Sequence, residues 1–132
     1  MKRIEHILLC LILAEFSFQV CYAQNINKYE IMGRWDVVKI TENDKDITSS
    51  IDYNAQRWIE FVSDDQYNSD GHPFGRYEGE YQLDEDSGSL VLKSGSTGTQ
   101  GMKWKARYDG EYLILKGTGQ LDLYKFFLKK TF

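Results

Sequence analysis

Beyond residue 23 the chain has a single histidine, His72, set between Gly71 and Pro73, and no cysteine. That leaves little with which to do chemistry. A zinc centre needs three or four nitrogen or sulfur donors, and one histidine in a turn cannot assemble them. A serine hydrolase needs a base aimed at its nucleophile, yet no Gly-X-Ser-X-Gly elbow is present and His72 would have to serve from a turn. The acidic run from Asp64 to Gly71 suggests calcium. Setting Gly71 as the loop glycine, however, puts Gln66 where the first aspartate belongs and Tyr77 where the closing glutamate belongs. The small-residue run 94–101 lacks the Gly-Lys-Ser/Thr ending of a phosphate loop. Glu78 and Glu80 share a face with Arg76, which fits a cross-strand charge ladder better than a paired acid and base. The residues therefore imply a non-catalytic chain that uses neither metal nor cofactor.

Aromatic side chains are the alternative resource. Trp35, Phe61, Tyr77, Tyr81, Trp104 and Tyr108 recur at alternate positions of strand-like segments, and such segments send successive side chains to opposite faces. Between Phe74 and Leu83, Tyr77, Gly79, Tyr81 and Leu83 share one face while Arg76, Glu78, Glu80 and Gln82 share the other. Met102, Trp104, Ala106 and Tyr108 alternate with Lys103, Lys105 and Arg107, a basic row that reads as a solvated face or a small anion-attracting patch. Ile59 and Phe61 form another inward pair. At the start of the series, Gly33 lets the chain turn into a strand that carries Trp35 and Val37 inward and Arg34, Asp36 and Val38 outward. Lys39 has the inward parity of Trp35, unless a bulge or the rim turns it out.

Turn-forming clusters separate these segments: 41–46, 63–66, 69–71, 84–88, Asp109-Gly110 and 117–119. Residues 42–56 read as a long connection and 94–101 as a loop. The final run from Leu121 is apolar on both faces at Phe126 and Phe127, which calls for a bulge or a covering neighbour. Seven or eight short strands at regular spacing, with no convincing amphipathic helix, predict an all-β fold: a single antiparallel up-and-down β-barrel of about eight strands.

The Gly33-X-Trp35 start, followed by a strand, an Asp-rich turn, a short strand, Asp70-Gly71 and the Gly75-Arg76-Tyr77-Glu78-Gly79 stretch, resembles the lipocalins and the short bacterial lipocalin-like domains of the calycin group. The resemblance covers residues 31–132 by pattern more than by identity. It implies a barrel whose base is closed by Gly33 and Trp35, a lid or short helix within 42–56, and a small apolar ligand in the barrel mouth. A second lipocalin motif is missing, and so is the last-strand arginine that stacks on the motif tryptophan. Lys129 or Lys130 stands in its place, with a less suitable shape than a planar guanidinium.

The opening residues read as a secretory signal, with basic Lys2-Arg3, an apolar run from Ile7 to Ala14, and Ala23 before a cut at Gln24. Residues 1–23 would then be removed and 24–132 would form the barrel domain, exported to the periplasm or beyond. The alternatives are a retained N-terminal helix and lipid anchoring through Cys21, although Val20 does not fit a lipidation signal. The chain's net charge of −4 argues against a nucleic-acid partner. Two functions are expected on these grounds. In the first, the barrel binds a small, largely apolar ligand through Lys39, Tyr77, Gly79, Tyr81 and Trp104. In the second, the core is solid and the outer surface engages a partner.

Overall fold

The computed structural model describes residues 26–50, 56–94 and 101–131. The expected signal with Cys21 and the expected cut before Gln24, part of the 42–56 connection and most of the 94–101 loop lie outside these residues. A single turn of helix, α1 (Lys28–Ile31), precedes the strands β1 (Gly33–Glu42), β2 (Lys45–Asp46), β3 (Trp58–Phe61), β4 (Gln66–Asp70) and β5 (Tyr77–Asp84). Then come β6 (Ser89–Ser94), β7 (Met102–Asp109), β8 (Tyr112–Gly117) and β9 (Tyr124–Thr131), with 3₁₀ turns at Thr48–Ser50 and Gly119–Leu121. The alternation pattern does not announce α1; Asn27 caps it by accepting a hydrogen bond from the Tyr29 amide.

Neighbouring strands are antiparallel and follow chain order, and β1 also pairs with β9, closing eight strands into an up-and-down barrel. β2 is a two-residue flap on the end of β1. Asn43 and Asp44, both at positive φ, turn the chain back into this flap, as a tight hairpin requires. The described part of the long connection expected over 42–56 is thus partly strand and partly 3₁₀ turn.

Local sequence explains each corner. Gly33 enters β1 at φ +108°, and a Cβ there would stand 3.1 Å from the Lys130 Cε. Gly88 (φ +74°) ends the β5–β6 turn so close to the next strand that a Cβ would meet the Ala106 carbonyl oxygen at 2.5 Å. The main departure from simple alternation lies in β1, whose register on β9 shifts between Val37 and Lys39. The extra residue reverses the parity of the rest of the strand, so Ile40 rather than Lys39 enters the core. The bulge expected near the end of the chain occurs instead on the partner of that last strand. Phe126 faces the core and Phe127 the outside without irregularity in β9.

Candidate functional site

The strand directions give the barrel two ends. The first holds the start of β1, the turns after β3, β5 and β7, and the end of β9; the second holds the connections β1–β3, β4–β5, β6–β7 and β8–β9.

At the first end, α1 lies across the opening. Ile26 and Ile31 are buried with the core, and the Trp35 indole N–H donates to the Ile31 carbonyl oxygen at 2.7 Å. Trp35 lies opposite Lys130 in register, and the Lys130 ammonium sits 5.4 Å from the centre of its ring. Lys130 therefore takes the position expected of an arginine. It also donates to the Glu30 carbonyl, tying the last strand to α1. Tyr81 is buried alongside, donating its hydroxyl to the Ser63 carbonyl at 2.6 Å. Tyr108 stacks obliquely on Trp35, and burial drives its hydroxyl pKa far above the ordinary phenol range.

Toward the second end, Phe74 enters from the β4–β5 turn. Its ring meets Trp104 edge-on, and Trp104 in turn meets Phe126 at 5.4 Å between ring centres. Trp104 is 1% exposed. Nearer the first end, Phe61 against Tyr81 and buried Tyr67 complete the aromatic filling. Phe74, read from the sequence as the start of a strand, is a plug.

The proposed ligand wall is therefore only partly assembled. Trp104, Tyr81 and Gly79, which lies opposite Tyr67, share the interior face, but Trp104 and Tyr81 are packed against neighbours rather than lining open space. Tyr77 keeps the inward parity yet begins its strand at the rim and is 44% exposed, so it walls no enclosed chamber. Lys39 is displaced by the bulge to the outer face, with its ammonium 4.9 Å from the centre of the Phe127 ring.

Hollows open on the outside instead. One of about 260 Å³ at the rim is bounded by Trp58, Asn68, Ser69, Asp70, Arg76, Tyr77 and Glu78. Another, of about 570 Å³, lies among Lys28 and residues 82–86, and a third among Arg34, Asp36, Glu60 and Thr131. None is bounded by Trp104 or Tyr81.

The outer wall is electrically two-sided. Strands β3–β5 send out Glu60, Asp70, Glu78 and Glu80. Strands β7–β9 send out Lys103, Lys105, Arg107, Lys116, Lys125 and Lys129, joined by Lys39 of β1. Sequence alternation exposed the row on β7, but only the strand register sets Lys116 and Lys125 beside it. On the same side Ile114 points outward, opposite Arg107 and Phe127, and is nevertheless 1% exposed. Among the described residues, no group of three histidine, cysteine, aspartate or glutamate side chains could hold a metal ion. The chain matches no family model, no curated protein and no solved structure.

Proposed function

We propose that this chain is a non-catalytic binding barrel that meets its partners with its outer wall and not with a ligand chamber. The observation behind this reading is the aromatic filling: Trp104 edge-on to both Phe74 and Phe126 toward the second end, and Phe61 edge-on to Tyr81 with Tyr67 buried nearer the first, occupy the space a ligand would need. An eight-stranded barrel is just wide enough for side chains to fill or for one small ligand to enter, and here the side chains take the room. His72 stands exposed on the β4–β5 turn, where partial burial lowers its affinity for a proton and Arg57 adds to the effect.

A second reading keeps the lipocalin-like role, a small apolar ligand in the mouth at the second end. It is favoured by the Trp104 indole N–H, which is buried without a hydrogen-bond partner among the described residues. Such a donor gains from a ligand acceptor, provided Phe74 moves aside.

The two readings separate in one experiment. Fatty acids, retinoid-like and aromatic probes are titrated while tryptophan fluorescence is followed, and the outer-wall reading expects no saturable quenching. Saturable quenching that Trp104→Phe abolishes would establish the mouth instead. Export with cleavage before Gln24 belongs to the same proposal, supported by the basic, apolar and small-residue order of residues 1–23. The intact mass of the exported chain tests it: a diacylated mass on Cys21 would replace free export with a lipid anchor.

A further inference from the structure

We propose that the outer face of β7–β9 is a docking surface for an anionic membrane, with phosphate-bearing lipid headgroups as the ligand chemistry. This rests on the outer-wall reading and gives it a partner.

The register carries the inference. Lys105, Lys116 and Lys125 stand directly opposite one another on three adjacent strands. Like charges placed so are unfavourable for the sheet, and a sequence selected only for folding would alternate their sign. The next row runs Arg107, Ile114, Phe127 and Lys39, and the one beyond it Asp109, Tyr112 and Lys129. Among the described residues Lys125 is paired with Asp44 at 2.9 Å and Lys129 with Glu111 at 3.4 Å, while Lys39, Lys105, Arg107 and Lys116 have no carboxylate within ion-pair distance.

The middle of this basic field is apolar. Ile114 is covered on the outer face by its neighbours, the Phe127 and Tyr112 rings meet edge-on beside it, and Val38, the residue set aside by the bulge, is 42% exposed. Long cationic side chains lay their stems on such a strip and lift their charges to its edges. A soluble polyanion would use the charges alone. A lipid surface uses both, since headgroup phosphates meet the lysines while the interfacial region receives tyrosine, phenylalanine and valine. The acids of β3–β5 lie on other strands of the wall, so a chain of net charge −4 still presents a basic face and is oriented by the field of an anionic bilayer.

The test is co-sedimentation of the exported chain, its mass showing no acyl group, with phosphatidylcholine vesicles with and without phosphatidylglycerol. Binding is expected only with the anionic lipid, and should fall steeply with salt. Lys105→Glu with Lys116→Glu should weaken it at least about tenfold. Lys28→Glu with Arg76→Glu, the same charge change elsewhere, should weaken it far less. Thermal melts verify that both double variants fold. Equal loss in the two variants, equal binding to neutral vesicles, or no binding at all overturns the proposal. So does tighter binding to a soluble sulfated polysaccharide, or salt-sensitive self-association through the acidic strands of a second copy. Failure here leaves the outer-wall reading standing, because that reading falls only if a probe enters the interior.

Discussion

The two tryptophans of the interior, Trp35 at one end of the barrel and Trp104 toward the other, are buried almost equally and treated very differently. Trp35 meets a segment of chain placed to receive it: its N–H finds the Ile31 carbonyl, its ring finds Lys130 and Tyr108, and α1 covers the opening. Trp104 is enclosed by the rings of Phe74 and Phe126, and its N–H finds nothing among the described residues. Buried polar atoms without partners follow the same division. Among the described residues, Thr41 Oγ1, Arg57 Nε and Trp104 Nε1 lie toward the second end and the Tyr108 hydroxyl toward the first. At the first end the interior tryptophan is fastened by a hydrogen bond; toward the second it is held by ring packing alone.

The largest effects should come from removing the rings that define each end. Trp35→Ala and Phe74→Ala should each cost about 3–5 kcal/mol, as deletion of large buried rings does. They should differ in what remains. Phe74→Ala opens an apolar space beside Trp104 that should take up benzene or indole, with a shift in Trp104 fluorescence, whereas Trp35→Ala should gain no such affinity. Loss of less than ~1 kcal/mol for Trp35→Ala in a urea titration would mean that α1, not the ring, closes the first end.

Next in size is the difference between two Trp→Phe substitutions. Trp35→Phe leaves the Ile31 carbonyl without its donor, while Trp104→Phe removes a donor that has no partner among the described residues. The first should therefore be more destabilising by about 1–2 kcal/mol. Equal losses would show that the Trp104 N–H is hydrogen-bonded in the folded chain.

A smaller effect divides the phenols. Burial raises the pKa values of Tyr108, Tyr67 and Tyr81, with nearby Glu30, Tyr77, and Asp64 with Asp65 adding respectively to each. A group whose folded pKa lies above its unfolded one contributes stability that is complete below the unfolded value and lost as pH rises. Stability should thus decline above about pH 10, with phenolate absorbance for these tyrosines appearing only as the barrel opens. Titration of all eight tyrosines of residues 24–132 in one step before unfolding would contradict the packed interior.

The smallest belongs to His72 at the second end, edge-on to Phe126, with its pKa depressed by partial burial and then by Arg57. A depressed folded pKa means that the unfolded chain takes up the proton first, so stability is present above about pH 6.5 and slips as pH falls below it. His72→Gln should flatten that part of the profile, and an unchanged slope would place its origin in the carboxylates.

These contrasts also mark how far the sequence could be read. Alternation over 76–83 and 102–108 was enough to orient Tyr81, Trp104 and the β7 lysines, because each strand has one wet and one dry face there. Parity failed at Lys39, where nothing in Val37-Val38-Lys39 announces that one residue will be left out of register. It was silent for Ile114, because Leu113-Ile114-Leu115 is apolar throughout and the second covering face is built by β9. Whether the interior was filled could not be read at all, since the filling depends on Phe74 arriving from a turn. The lysine row was invisible for the same reason: Lys105, Lys116 and Lys125 become neighbours only through pairings between separate strands.

The closure of the barrel also sets an order in time. β1 is the seam, held by β3 on one side and by β9 on the other, and bonds such as Thr131 Oγ to the Arg34 carbonyl join residues 97 positions apart. No hairpin made earlier can substitute for that pairing, so a chain emerging from the ribosome holds only open sheet with a bare first strand until Tyr124–Thr131 arrives. Such a topology folds late and slowly for its size. Deletion of the final strand should therefore leave an open sheet that never closes, however long the chain is given to fold.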